Sequence, residues 1–303
     1  MSRKSATPFD VNGRTVFITG AARGIGAETA RRLYAKGANV ALVGLEPERL
    51  EELAAQLGDR AVSFEVDVTD YEALQRAVRG TIERFGAIDV AIANAGVQFN
   101  GALATAPVEQ IERTLAVNLL GVWRTDRAVI EHITARRGYL LNISSLSAIA
   151  HAPLLGAYST AKAGVEALSD ALRLETLPSG ARVGCAYFGF IDTDLVRGGF
   201  AGPSGQAARS QMPGFIGKPA PLAKAIDAIE DGIERRAARI WAPRWIGPML
   251  LLRGLVAPLM ERGVERDTEP LAEGLRLAEP NASEVADQDP VLGVAARAVE
   301  PKP

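Results

Sequence analysis

Short apolar runs rich in β-branched residues alternate with segments of helical periodicity over the first 241 residues, and this alternation constrains the fold most. The runs fall at residues 14–19, 39–43, 61–66, 88–93, 139–143, 182–187 and, as a last short one, 239–241. Between them, apolar residues recur at helical spacing from about Ile25 to Ala35 and from Pro47 through Leu50, Leu53, Ala54 and Leu57. Helices are also predicted from Tyr71, behind a cap at Thr69 or Asp70, and over 157–176 and 222–235. One long helix is expected from Pro107 to about Arg136. Strands apolar on both faces and joined by helical crossovers require a parallel sheet covered on both sides. The chain therefore reads as one α/β domain over 12–241, behind a flexible N-terminus at 1–11. An apolar helical appendage at 242–262 and a mostly polar, disordered tail at 263–303 follow it.

Composition removes several function classes. Thirty-four Lys and Arg face 36 Asp and Glu, so the basic excess of a nucleic-acid binder is missing. Cys185 is the only cysteine, which excludes an internal disulfide framework and a cysteine-based zinc site. Two histidines, His132 and His151, are too few for a multi-histidine metal cage. No metal is expected, and a reducing cytoplasm suits the chain. No run reaches the roughly 18–20 uninterrupted apolar residues of a membrane span. The nearest, 245–260, is broken by Pro248, Arg253 and Pro258.

Between the first strand and the first helix lies Thr19-Gly20-Ala21-Ala22-Arg23-Gly24-Ile25-Gly26. Glycines there let the backbone turn tightly and let a pyrophosphate approach the free N–H groups of a helix N-terminus. With a parallel sheet covered on both sides, the expected fold is a Rossmann-type, doubly wound one. Asp67-Val68 closes the third run, where a carboxylate can accept from an adenine amino group. Asn94-Ala95-Gly96 follows the fourth, where it can line a cofactor cleft, and Asn118 lies inside the long helix. Tyr158 and Lys162 stand four residues apart on one helix face. An ammonium beside a phenol, with a cationic nicotinamide, favours the phenolate and lowers a pKa that is ~10 in water. Ser145 ends the fifth run, placed to hold a substrate carbonyl.

These motifs, in this order, resemble the short-chain dehydrogenase/reductase family over roughly residues 12–241. The resemblance implies that Tyr158 is the acid/base, and that Lys162 binds the nicotinamide ribose and lowers the Tyr158 pKa. It implies that Ser145 positions substrate and that Asn118 holds a water in a proton relay with Lys162. It assigns cofactor contacts to Gly20, Arg23, Gly24, Ile25, Gly26, Glu46, Asp67, Val68, Asn94, Ala95 and Gly96, and to Tyr158, Lys162, Gly189, Ile191 and Thr193. One departure is Phe188, where the family usually has proline before Gly189; it puts the loop geometry in question. The cofactor is NAD or NADP. Gly44 and Leu45 carry neither the acid that signals NAD nor the arginine that signals NADP. Glu46 would repel a 2′-phosphate and Arg23 would attract one, and NAD is favoured.

The expected reaction interconverts a secondary alcohol and a ketone on a small apolar molecule. Epimerisation, reduction of a C=C bond, or a non-catalytic nucleotide-binding regulatory role are the alternatives. Residues 195–218 should form a substrate lid carrying Leu195, Val196, Phe200, Met212, Phe215 and Ile216, with Phe99, Leu154 and Leu155 as further wall. No basic cluster points to a phosphorylated or coenzyme A substrate. The resemblance implies a homodimer or homotetramer built through the helices holding Asn118 and Tyr158. The apolar 241–260 segment is expected to be buried against protein rather than to dock on a membrane, because its prolines and Arg253 interrupt the apolar face.

Overall fold

The computed structural model describes residues 8–202, 205–206, 209 and 217–278. The expectations for residues 1–7, for most of the lid segment including Met212, Phe215 and Ile216, and for 279–303 lie outside the described residues. Strands β1 (Thr15–Thr19), β2 (Asn39–Gly44), β3 (Ala61–Glu65), β4 (Val90–Ala93), β5 (Tyr139–Ile143), β6 (Arg182–Phe188) and β7 (Arg239–Ala242) form one parallel sheet. Its order is β3-β2-β1-β4-β5-β6-β7. The winding reverses between β1 and β4, which opens a crevice beyond their C-terminal ends.

The two-faced apolarity of the strands follows from this architecture. Val16 and Ile18 of β1 pack into one layer with α1 (Gly24–Ala35), α2 (Pro47–Leu57) and α8 (Leu222–Arg235). Phe17, between them, packs into the opposite layer with α3 (Tyr71–Phe85) and α5 (Gly121–Ala135). Asp70 is the cap of α3, its carboxylate accepting from the Ala73 N–H at 2.9 Å.

The single helix expected from Pro107 is broken. It divides into α4 (Val108–Leu115), a π-helical turn at Ala116–Leu120, and α5. The wider turn adds a residue to the ring and carries Asn118 inward, where it is fully buried. The remaining helices are α6 (Gly156–Thr176), α7 (Asp194–Ala201), α9 (Ile246–Leu251), α10 (Arg253–Arg266) and α11 (Glu269–Leu277). Of the tail expected from residue 263, the described part to 278 is mostly helical, with Glu269 in the first turn of α11 and Arg276 in the last, as the helix dipole favours. The appendage is buried only at its start. Ile246 packs with Leu146, Cys185 and Tyr187, whereas α10 buries Val256 alone and leaves its leucines exposed. Among the described residues no helix is long and apolar enough to cross a membrane.

A buried carboxyl lies between α5, β5 and α6. The Asn142 amide donates to Asp126 Oδ2 at 2.8 Å and to Ser169 Oγ at 3.1 Å. Burial pushes the Asp126 carboxyl up to about 8, with the Asn142 hydrogen bond opposing. The folded protein therefore holds this proton far more tightly than the unfolded chain, whose carboxyl titrates near ~3.9. Its contribution to stability is complete below pH ~4 and is lost as pH rises through the window up to about 8. Asp126→Asn keeps an acceptor for Asn142 and cannot ionise. Its melting temperature, relative to wild type, is expected to rise steadily between pH ~5 and ~8. Parallel melting curves across that range would contradict it.

Candidate active site

The first turn of the site is made of glycines for steric reasons. Gly20 and Gly24 hold positive φ angles of +65° and +56°, where a side chain is strained. A Cβ on Gly26 would overlap the Gly20 carbonyl oxygen and stand 2.8 Å from Asn94 Nδ2. Helix α1 starts behind this loop with no side-chain cap, so its first N–H groups are left for an anion. The loop is tied to the end of β4. Asn94 Nδ2 donates to the carbonyls of Thr19 and Gly20 at 3.0 and 3.1 Å. The Asn94 and Ala95 N–H groups both donate to Thr19 Oγ1. A side-chain-free cradle at a helix N-terminus fits the pyrophosphate of a dinucleotide.

One cleft of about 90 Å³ gathers Ile25, Asn94, Gly96, Ser145, Tyr158, Lys162, Gly189, Ile191 and Thr193. The other expected site residues stand around it. Val68 is buried in the core and Ala95 packs against the same layer. Asp67 lies beyond the end of β3 rather than on it, its Oδ1 accepting from the Thr69 N–H at 2.8 Å. Asn118 does not line the cleft: its Oδ1 accepts from the Val97 N–H at 2.9 Å and its Nδ2 donates to the Val97 carbonyl at 2.7 Å. It supports the wall from behind, at Gly96, where a Cβ would come within 2.9 Å of Asn118 Oδ1. Phe99, Leu154 and Leu155 are not among the cleft's lining residues, while Leu195 and Val196 are. Thr193 caps α7, its Oγ1 accepting from the Val196 N–H at 3.4 Å.

Phe188 resolves the question raised by the missing proline. It extends β6 by a residue, paired with Ala242, and its side chain is buried in the main core. Its carbonyl accepts from Ser145 Oγ at 3.3 Å, and that same Oγ accepts from the Ser147 N–H at 3.1 Å. Arg23 and Glu46, expected to pull cofactor choice in opposite directions, are paired with each other at 3.0 Å, and Arg49 also reaches Glu46 at 3.3 Å.

Lys162 is buried, donates to the Ile143 carbonyl at 2.8 Å, and sits 5.6 Å from the Tyr158 ring centre. Burial lowers its pKa to about 8. Burial also pushes Tyr158 up to about 12, against a hydrogen bond with Ser145 that lowers it. In the protein alone the balance thus runs opposite to the expected lowering, because desolvation of the phenolate outweighs its neighbours. Sequence reasoning placed Thr19 in the loop motif without a role and missed the Ile143 and Phe188 carbonyls. Main-chain acceptors carry no residue signature. Ser144, whose Oγ donates to the Lys162 carbonyl at 2.9 Å, was visible only as the neighbour of Ser145.

The sheet, the glycine cradle at its switch point and the Ser–Tyr–Lys cleft define a dinucleotide-binding α/β enzyme. A family profile described as "short chain dehydrogenase" matches residues 14–202. The 2-(R)-hydroxypropyl-CoM dehydrogenase of Xanthobacter autotrophicus is 35% identical over 192 residues, 61% of this chain and 77% of that protein. The 3beta-hydroxysteroid dehydrogenase 1 of Eggerthella lenta is 32% identical over 224 residues, 71% of this chain and 86% of that protein. The crystal structure of a short chain dehydrogenase/reductase from Burkholderia phymatum in complex with NAD shares the fold, with a TM-score of 0.73 at 20% identity, over 83% of this chain and 96% of that one. The chain belongs to the short chain dehydrogenase family and is an oxidoreductase.

Proposed function

We propose that the protein interconverts a secondary alcohol and a ketone on a small apolar molecule, using NAD in preference to NADP. The observation that carries this is the meeting of Ser145, Tyr158 and Lys162 in one cleft beside the glycine cradle. When bound there, a nicotinamide gives or takes the hydride. The Ser145 hydroxyl holds the substrate oxygen, and Tyr158 exchanges a proton with it. With its pKa near 12, Tyr158 is a phenol at neutral pH, the form that donates to a carbonyl being reduced. Oxidation needs the phenolate and gains as pH rises. Lys162 holds the ribose in this reading, supported by its tie to the Ile143 carbonyl, and Asn118 braces the Gly96 wall between itself and Lys162. The relatives are named for hydroxylated substrates, and the Leu195 and Val196 walls suit an apolar one.

Preference for NAD rests on the Arg23–Glu46 pair. It neutralises the one cation expected to attract a 2′-phosphate and keeps a carboxylate nearby. Glu46→Arg frees Arg23 and reverses the local charge. The ratio of kcat/KM for NAD over NADP is expected to fall by about tenfold or more, about 1.4 kcal/mol. A wild-type enzyme faster with NADP, or an unmoved ratio, would contradict this.

Exposed Leu120, Trp123 and Leu174 on and beside α5 and α6 support a homo-oligomer assembled through those helices, and the buried free thiol of Cys185 suits a cytoplasmic enzyme. A panel of alcohols, ketones and activated alkenes, followed by nicotinamide absorbance, tests the reaction class. Turnover of apolar secondary alcohols and ketones is expected. Turnover of alkenes alone, or cofactor binding without turnover, would favour the alternatives.

A further inference from the structure

A second groove lies apart from the cleft. It measures about 660 Å³ and is walled by Trp241, Pro248, Leu251 and Leu252, with Arg239 and Arg244 at its lip. Beside it runs a stripe of leucines that the chain itself leaves in water: Leu251 is 86% exposed, Leu252 60%, Leu255 58% and Leu259 62%. Leu255 and Leu259, four residues apart, share one side of α10, and Leu251 and Leu252 stand at the break between α9 and α10. Four neighbouring large side chains at this exposure form a patch, and such patches mark contact with another phase or molecule.

We propose that α9 and α10 dock the protein on an anionic lipid bilayer surface, with the leucine stripe entering the interface. Charge favours this occupant. From β7 to the end of α10, residues 239–266 contain five arginines against two acidic residues, Glu261 and Glu265, although the whole chain has a net charge of −2. Arg239 is held by Asp170 of α6 at 3.1 Å and Arg253 by the buried Glu166 of the same helix. The Arg253 pair fixes the appendage on the body of the domain and turns its guanidinium toward α6, so that it does not break the row of leucines as the sequence suggested. Arg244 makes no ion pair with any described residue and is left for lipid phosphate. Apolar residues on one side with arginines beside them are the pattern of an interfacial helix, and no helix among the described residues is built to span. A second copy is the competing occupant that the test below distinguishes.

The docked face lies one layer from the cleft. A Cβ on Gly189, which lines the cleft, would stand 3.3 Å from Ile246 and 3.6 Å from Trp245. The docking itself does not depend on which reaction the cleft performs.

Co-sedimentation of the full chain with phosphatidylcholine vesicles, with and without phosphatidylglycerol, tests the proposal. Binding to the anionic vesicles is expected, weakened by salt as exposed charges are screened. Leu255→Glu/Leu259→Glu should weaken it by about tenfold or more and Arg244→Glu by less. Val108→Glu, at an exposed apolar residue elsewhere, should leave it unchanged. Each variant's melting temperature confirms that it is folded. Four results would overturn the proposal. They are no binding by the wild type; equal binding by the folded double variant; an oligomer in light scattering, without vesicles, that the double variant dissociates; and binding only after residues 279–303 are removed. The third would assign the face to a second copy and the fourth to the chain's own tail.

Discussion

Tyr158→Phe is expected to reduce kcat by about 10²–10⁴-fold, the range in which a positioned general acid/base contributes. Only the phenolic oxygen is removed. The ring keeps its place at the start of α6, between the Ser145 turn and Lys162, so packing and cofactor seat survive. Cofactor affinity, read by nicotinamide fluorescence, should therefore stay close to wild type while turnover collapses. The two readouts separate a chemical role from a structural one. Retention of more than about a tenth of wild-type kcat would remove Tyr158 from the proton step. The pH profile adds a second check. Burial holds this phenol near 12, so reduction should persist at neutral pH and oxidation should climb on the alkaline side.

Gly26→Ala is expected to weaken cofactor binding by about tenfold or more, about 1.4 kcal/mol, although alanine is intrinsically the better helix former by roughly 1 kcal/mol. The added Cβ meets the Gly20 carbonyl oxygen, a backbone atom that cannot swing aside, and Asn94 Nδ2 at 2.8 Å. Relief requires the loop to move off the Thr19 and Gly20 carbonyls that Asn94 now clamps. Gly254→Ala serves as the control, because nothing lies within 4 Å of a Cβ there. Titration of both variants with reduced cofactor checks the expectation. Wild-type affinity in Gly26→Ala would mean that this loop is not the cofactor seat.

The sheet was legible because a parallel sheet buries both faces of each strand, and Val16–Ile18, Val40–Val43 and Tyr139–Leu141 are unbroken, fully buried apolar runs. The cleft was legible where side chains carry the chemistry, as Ser145, Tyr158 and Lys162 do. Three kinds of feature stayed hidden, each for a physical reason. The π turn at Ala116–Leu120 is stabilised by what Asn118 reaches at Val97, a contact between distant parts of the chain that local spacing does not encode. The Arg23–Glu46 pair depends on two loops meeting, so sequence could set the two charges against each other but not join them. The leucines of α10 read as core because they are apolar. Burial is decided by what packs on them, and within the described chain only Val256 of α10 finds cover.

The most direct measurement uses an apolar secondary alcohol deuterated at its carbinol carbon, incubated with wild-type protein and NAD. Oxidation breaks the carbon–deuterium bond and passes the hydroxyl proton to the protein. The expected result is one deuterium in the reduced cofactor for each ketone formed, with both formed about 10²–10⁴-fold more slowly by Tyr158→Phe. Ketone formation with deuterium lost to water, or labelled cofactor at wild-type rate in Tyr158→Phe, would contradict the account.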